Sequence, residues 1–163
     1  MVLTKRSFTT LIFAVAVSCS TTRDAANPAA VQATLDSVLA HHAELFRQKD
    51  VAALLDAYTD DAVVYSNHAL PVRGRSALEP FLTAFTQGGD IQSLSYTTEE
   101  LAVHGDSAWQ ILSYRAAVQP TGSSVVVADS GAGFALWVRG ADGEWRIHRD
   151  IFNSSVPLLV APK

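Results

Sequence analysis

The side chains best suited to acid–base chemistry in this chain of 163 residues are a few carboxylates, imidazoles and phenols. A carboxylate or an imidazole carries protons near neutral pH when an apolar pocket shifts its pKa. We expect Asp150 and Tyr65 to be catalytic, and His148 and His68 are further candidates. The alternative for Asp150 is an ion pair with a neighbouring strand, and the alternative for each histidine is a plain surface or core position.

The segment that contains Asp150 alternates as a β-strand does, so its parity decides which side chains face a pocket. Trp145 and Ile147 form an apolar face, and Arg149 and Asn153 share its parity. If this face meets the helices, Arg149 and Asn153 border the pocket. A β-bulge would invert the assignment from Asp150 onward, so both sets of side chains stay open.

Aromatic and polar side chains elsewhere in the chain complete the candidate ligand site. Trp109 and Tyr114 lie in a predicted strand, where an aromatic ring forms part of the core or of a pocket wall. The hydroxyl of Tyr114 and the amide of Asn153 are hydrogen-bond donors. The expected ligand-binding residues are His68, Trp109, Tyr114, Arg149 and Asn153.

The sequence lacks the residue sets and motifs that bind metals or cofactors. His41 and His42 are adjacent, and adjacent residues on a helix point about 100° apart, so the pair does not easily chelate one ion. Cys19 is the only cysteine. The sequence contains no phosphate-binding loop, nucleophile elbow or His-Glu-x-x-His helix. We therefore expect no metal and no cofactor.

The N-terminal segment has the pattern of an export signal. Lys5 and Arg6 precede an apolar run at residues 11–17, which is too short to span a bilayer. Residues 16–19, Ala-Val-Ser-Cys, resemble the bacterial lipobox, in which the cysteine is lipidated. The alternative is ordinary signal-peptidase cleavage, which would leave a soluble periplasmic protein. We expect a lipoprotein of the bacterial cell envelope, held at the outer membrane through Cys19.

The composition is that of a globular chain, with 48% hydrophobic and 17% charged residues. The formal net charge of −4 argues against nucleic-acid binding, which requires a basic face. The length fits a single domain. We expect a signal over residues 1–19, a polar tether over 20–28, an α+β barrel domain over 29–158 and a tail over 159–163.

Helical spacing of apolar residues dominates the first half of the domain, and strand-like alternation dominates the second half. Asn27 and Pro28 start a first helix that runs to about residue 48, and Asp50 caps a short second helix that includes Tyr58. Residues 76–79 form a capping box for a third helix. This order of elements is typical of an α+β domain.

The predicted strands lie at residues 62–66, 91–103, 107–119, 124–138 and 144–154. The four long strands are separated by hairpin-type turns, so they are expected to form an antiparallel meander. Gly131 and Gly133 lie inside one of them and suggest a bulge or a bend.

Three segments in this order resemble the nuclear transport factor 2-like superfamily and its SnoaL-like and ketosteroid-isomerase-like members. Residues 50–63 resemble the segment in which a short helix runs into the first strand. Residues 72–78, VRGRSAL, resemble the entry to the third helix, and residues 143–154 resemble the last strand. The resemblance covers about residues 30–156. It implies a cone-shaped α+β barrel, with three N-terminal helices packed on a strongly curved, mainly antiparallel sheet.

Enzymes with this fold, such as ketosteroid isomerases, scytalone dehydratase and SnoaL-type cyclases, place polar groups in the open end of the cone. The resemblance implies that this chain binds a small, largely apolar organic molecule there, and it leaves acid–base turnover open. The isomerase pattern of one tyrosine and two acids does not map residue by residue onto this chain. The alternatives are an isomerase or dehydratase, and a non-catalytic interaction module that dimerises through the outer face of the sheet, as many relatives do.

Overall fold

The computed structural model describes residues 27–67 and 69–156. Within these ranges the chain forms three helices and six strands. Their order is α1 (Pro28–Gln48), α2 (Val51–Asp56), β1 (Tyr58–Tyr65), β2 (Val72–Arg73), α3 (Arg75–Gln87), β3 (Gly89–His104), β4 (Ser107–Pro120), β5 (Val127–Arg139) and β6 (Trp145–Ser154). None of the helices in these ranges is long and apolar enough to cross a membrane.

The six strands form one sheet in the order β2-β1-β6-β5-β4-β3. The pair β1 and β6 is parallel, and every other neighbouring pair is antiparallel. Helix α1 packs on β3, and α3 packs on β1, β2 and β3. This arrangement confirms the expected α+β class, with the N-terminal helices on a mainly antiparallel, curved sheet.

The caps of the first two helices follow the sequence prediction. The Oδ1 atom of Asn27 accepts a hydrogen bond from the backbone N–H of Ala29 at 3.1 Å, and Pro28 opens α1. The side chain of Asp50 accepts from the backbone N–H of Ala53 at 3.0 Å. Both contacts satisfy donors that a helix N-terminus leaves free.

The capping box predicted at residues 76–79 is wrong. Helix α3 is capped by Gly74 and has no side-chain cap hydrogen bond. Gly74 adopts a φ of 77°, which glycine accepts more readily than residues with a Cβ atom. Its N–H donates to the backbone oxygen of Ala62 at 2.8 Å, so the pairing with β1 fixes the start of the helix.

A β-bulge at His148 decides which side chains of β6 face the helices. Trp137 of β5 pairs with Ile147, and the preceding residue of β5, Leu136, pairs with Arg149. His148 is therefore an extra residue, and the parity inverts after it. As a result, Asp150 follows Ile147 on the inner face. Of the two alternatives left open by the sequence, the structure therefore adopts the one in which a bulge inverts the parity and turns Asp150 inward.

The centre of the core contains a buried hydrogen-bonded pair, Trp137 and Gln110. Both residues are 0% exposed, and the Nε1 atom of Trp137 donates to the Oε1 atom of Gln110 at 3.0 Å. The Nε2 atom of Gln110 donates in turn to the hydroxyl of Thr98 at 2.7 Å. These bonds satisfy the amide of Gln110 inside the core.

Trp137→Phe is expected to lower the free energy of unfolding by about 2–4 kcal/mol. The change leaves a void and removes the donor to the buried oxygen of Gln110. Urea denaturation measures the loss. The control is Trp109→Phe, because Trp109 is only partly buried and lies on the other face of the sheet. Equal losses in the two variants would contradict this view of the core.

Candidate functional site

A cavity of about 210 Å³ opens between the helices and the inner face of the sheet. Its wall is largely apolar and includes Phe46, Val64, Phe81, Phe85, Leu94 and Phe152. A concave, mostly apolar space with a few polar groups is the usual form of a small-molecule site. The polar groups of this wall therefore define the candidate chemistry.

Asp150 reaches this cavity from β6. The bulge places it on the inner face, beside Val64 of β1. Tyr58 is 4% exposed, and its hydroxyl donates a hydrogen bond to the Oδ2 atom of Asp150 at 3.2 Å. The parallel pairing of β1 with β6 thus brings together two groups from opposite ends of the domain.

The environment of this pair shifts both pKa values. Burial in the apolar wall raises the pKa of Asp150 to about 6, and the hydrogen bond from Tyr58 opposes part of that rise. Burial also raises the pKa of Tyr58, and the nearby Asp150 carboxylate adds to the rise. At pH 7 Asp150 is therefore mostly ionised yet able to accept and return a proton, while Tyr58 stays a phenol.

A second carboxylate, Asp129, lies in the wall of the same cavity. It accepts hydrogen bonds from the hydroxyl of Tyr114 at 3.0 Å and from the hydroxyl of Ser154 at 2.6 Å. Burial raises the pKa of Tyr114 to about 12, and the hydrogen bond to Asp129 contributes to the rise. The cavity thus holds two tyrosine–aspartate pairs on neighbouring strands.

Further polar side chains, Tyr96 and His42 among them, line the cavity without a partner for their polar atoms among the described residues. Tyr96 of β3 makes no hydrogen bond through its hydroxyl to any residue of the described ranges. Burial raises the pKa of Tyr96, and the charge of Asp150 adds to the rise. His42 of α1 is 4% exposed, and neither of its ring nitrogens has a partner there. These groups are available to a bound molecule.

Two of the site residues expected from the sequence, Asp150 and Tyr114, line this cavity. His68 lies outside the described residues, as does the predicted lipidation site Cys19. The remaining four do not line the cavity: Tyr65, Trp109, Arg149 and Asn153.

Strand alternation explains why these four side chains miss the cavity. Tyr65 follows Val64 in β1, and Val64 is the residue that faces inward. Trp109 stacks on Phe134 with ring centroids 6.4 Å apart on the outer face of the sheet. The bulge turns Arg149 and Asn153 outward, so neither side chain borders the pocket, in contrast to the expectation from the sequence.

His148 also lies outside the cavity, at the bulge itself. Its Nδ1 atom is 3.2 Å from the hydroxyl of Thr59 and 3.3 Å from the Oδ1 atom of Asp61. The ring is thus engaged with the start of β1 rather than with the inner face of the sheet. These contacts connect β6 to the start of β1 and therefore serve the fold.

The sequence prediction missed six polar residues of the wall: His42, Tyr58, Asn67, Tyr96, Asp129 and Ser154. Tyr58 fits the apolar face of the predicted second helix, which hides its place in β1. Asp129 and Tyr114 become neighbours only once β4 and β5 are paired. The sequence signal that could have identified Tyr58, Tyr96 and Asp129 is the shared inward parity of tyrosines and acids on the strands of one sheet.

Tyr58→Phe is expected to raise the pKa of Asp150 further, by roughly 1. The reason is that the hydrogen bond from Tyr58 favours the ionised carboxylate. The titration of the Asp150 carboxyl carbon, followed by NMR, measures this change. Tyr65→Phe is the control, since Tyr65 does not line the cavity. An unchanged or lower pKa in Tyr58→Phe would show that the bond does not exist in solution.

In the described part of the chain, no three side chains of histidine, cysteine, aspartate or glutamate lie close enough to share a metal ion. The polar groups of the cavity offer hydrogen bonds and proton transfer. They are two carboxylates, three phenols, one imidazole, the amide of Asn67 and the hydroxyl of Ser154.

Solved structures with the same fold come from several bacteria. A ketosteroid isomerase-like protein of Erwinia carotovora atroseptica is 18% identical, with a TM-score of 0.68 over 77% of this chain and 96% of that chain. A conserved protein of Planctomyces limnophilus is 25% identical, with a TM-score of 0.71 over 80% and 99%. A proposed scytalone dehydratase of Novosphingobium aromaticivorans is 14% identical, with a TM-score of 0.67 over 82% and 97%.

A comparison with curated proteins finds no match. The family model of the SnoaL-like domain, in contrast, matches residues 38–148. This match covers more than half of the chain and spans from α1 to the bulge in β6. The cone-like arrangement of helices and sheet agrees with it. The chain therefore belongs to the SnoaL-like domain family, within the nuclear transport factor 2-like superfamily.

Proposed function

We propose that this domain binds a small, largely apolar organic molecule in the cavity and transfers protons to and from it through Asp150. The observation that carries the proposal is the Asp150–Tyr58 pair, a carboxylate with a pKa of about 6 in an apolar wall. Carboxylates with raised pKa values in clefts are typical of acid–base sites.

The size of the cavity limits the class of ligand. Cavities of about 150 Å³ in proteins hold a benzene molecule, and this one measures about 210 Å³. It therefore suits a substituted benzene or an alicyclic ring of similar size. The phenylalanines of the wall supply apolar contact for such a ring.

The chemistry that fits this wall is proton transfer within one bound molecule. Asp150 takes a proton from a carbon or oxygen atom of the ligand, and Tyr58 holds the carboxylate in place. Return of the proton to another carbon isomerises the molecule, and its transfer to a leaving hydroxyl releases water. The names of two similar structures, a ketosteroid isomerase-like protein and a proposed scytalone dehydratase, support these two reaction classes.

Binding of 1-ethyl-4-fluorobenzene, followed by fluorine NMR, tests the proposed site. Ala116 lines the cavity, so Ala116→Phe is expected to fill it and weaken binding by at least about tenfold. Ala117→Phe is the matched control, because the next residue of β4 points to the opposite face. Equal affinity in Ala116→Phe and the wild type would place the binding site elsewhere.

Turnover is tested once the natural ligand has been identified by native mass spectrometry of protein from its own host. Asp150→Asn is expected to lower turnover by about 10²–10⁴-fold, because the amide neither accepts nor returns the proton. Affinity for the ligand is expected to change far less. Full activity in Asp150→Asn would exclude Asp150 as the proton carrier.

A non-catalytic homodimer is the second candidate, and the outer face of the sheet supports it. Trp109 and Phe134 stack there, and Ile151 on the same face is 45% exposed. Exposed apolar groups of this kind are common at subunit interfaces. Ile151→Asp is expected to shift a dimer toward monomer in sedimentation velocity, and a monomeric wild type would exclude this candidate.

The proposed location is the bacterial cell envelope, with a lipid on Cys19. The support is the order of basic residues, apolar run and cysteine in the first 19 residues of the sequence. Metabolic labelling with palmitate tests it, with Cys19→Ser as the control. Labelling of the wild type alone is expected, and an unlabelled wild type would favour ordinary signal-peptidase cleavage.

A further inference from the structure

His42 is a buried histidine whose ring nitrogens both lack a hydrogen-bond partner among the described residues. Only 4% of the residue is exposed, and it lines the cavity. Buried polar atoms in native proteins are almost always hydrogen-bonded, so two such atoms on one ring call for an explanation. A bound molecule with a polar atom at this point would provide the missing hydrogen-bond partner.

The ring of His42 is held firmly by its aromatic neighbours. Its centroid is 4.8 Å from that of Phe46 in an edge-to-face arrangement and 5.7 Å from that of Tyr58. Tyr58 in turn bonds to Asp150. His42 and the Asp150 carboxylate therefore contact the same tyrosine, His42 through its ring and Asp150 through its hydroxyl. One small molecule in the cavity can meet both groups.

The imidazole of His42 is uncharged at neutral pH. Burial lowers its pKa to about 4, and the neighbouring His41 contributes to this shift. A neutral imidazole has one N–H donor and one acceptor nitrogen, which suit a carbonyl or a hydroxyl oxygen. An anionic ligand is disfavoured, because Asp150 and Asp129 already place carboxylates in the same wall.

We propose that His42 is a ligand-binding residue that forms a hydrogen bond with a carbonyl or hydroxyl oxygen of an uncharged, otherwise apolar molecule. This inference rests on the proposed function and narrows its ligand class. The oxygen of the molecule lies at the α1 side of the cavity, and the atoms that exchange protons lie beside Asp150. His42 thus selects oxygenated rings over plain hydrocarbons.

Two probes that differ in one group, a carbonyl in place of a methylene, test this inference. 4-Fluoroacetophenone has a carbonyl where 1-ethyl-4-fluorobenzene has a methylene, and fluorine NMR reports the Kd of each. The measurement uses the whole chain at pH 8, where Asp150 is ionised and cannot donate to the ketone. The quantity compared among variants is the preference, the Kd of the hydrocarbon divided by that of the ketone.

His42→Phe keeps an aromatic ring but removes both nitrogens. We expect the preference for the ketone to fall about tenfold, with little change in the affinity for the hydrocarbon. His41→Phe, the same change at an exposed neighbour on α1, is expected to leave the preference as it is in the wild type. Tyr96→Phe measures how much of the preference comes from the hydroxyl of Tyr96.

The outcomes separate this inference from the proposed function. If the hydrocarbon binds and the preference is the same in the wild type and His42→Phe, the inference is overturned and the proposed function stands. If neither probe binds to the wild type, both are overturned. A thermal melt of His42→Phe with an unchanged or higher Tm confirms that any loss of preference is not a loss of fold.

Discussion

Replacement of Asp150 by asparagine is expected to stabilise the fold by about 2–3 kcal/mol at pH 7–8. The native structure holds the carboxyl with a pKa of about 6, well above its ordinary value of 3.8. Ionisation in the folded state therefore costs free energy that the unfolded chain does not lose. Asparagine removes this cost and keeps an oxygen that accepts the hydrogen bond from Tyr58.

The effect of Asp150 on stability depends on pH in a defined direction. Below about pH 3.5 the carboxyl is mostly protonated in both the folded and the unfolded states, so Asp150 and asparagine are nearly equivalent. Between pH 4 and 6 the unfolded state loses its proton first, and stability falls as the pH rises. Above pH 6 the full destabilisation is present.

Thermal unfolding of the wild type and Asp150→Asn between pH 3.5 and 8 measures this prediction. We expect a difference in Tm on the order of 10 °C at pH 8 that vanishes near pH 3.5. Asp60→Asn, at an exposed position of β1, is the comparison for the removal of one negative charge. A wild type more stable than Asp150→Asn at pH 8 would mean that the carboxylate is stabilised rather than strained by its surroundings.

Gly131→Ala is expected to destabilise the fold by about 3 kcal/mol or more. A Cβ atom at this position would lie 1.8 Å from the backbone oxygen of Asn153 and 2.6 Å from the Cε1 atom of Tyr114. The backbone of β6 has to move away, because an oxygen of a paired strand cannot rotate aside. The ring of Tyr114 would move as well, and with it the bond to Asp129.

Gly133→Ala is the matched control, two residues further along the same strand. There the added Cβ atom would meet the flexible end of Leu112 at 3.0 Å and a backbone oxygen at 3.3 Å. We expect a loss of only about 1 kcal/mol in urea denaturation. Equal losses at Gly131 and Gly133 would show that Gly131 does not make room for Tyr114.

The sequence predicts the helices and long strands well, because each has a local signal. Asn27 and Pro28 mark the start of α1, and turn residues separate the four long strands. The two residues of β2 have no such signal, since their only ladder partner is β1. Gly131 and Gly133 suggest a bulge or a bend in β5, but the extra residue of the β5–β6 pair is His148, because the pairing of the two strands decides where it lies.

The candidate site is harder to predict, because its residues meet only through pairing over long distances in the chain. The chemistry of its side chain makes Asp150 a candidate, but its orientation depends on the bulge before it. The sequence pattern places Tyr58 on a helix, although its pairing with Ile147 makes it the first residue of β1. The sequence places His42 on the apolar face of the first helix and beside His41, but its lack of hydrogen-bond partners is evident only once α1 packs on β3.

The titration of the Asp150 carboxyl carbon, with the cavity free and then saturated with 1-ethyl-4-fluorobenzene, tests the central claim most directly. A pKa near 6 is predicted for the free protein. A higher pKa is predicted for the complex, because the bound ring removes the remaining hydration of the carboxylate. A pKa near 4 that does not respond to the ligand would contradict the claim that Asp150 is the acid–base group of an apolar binding site.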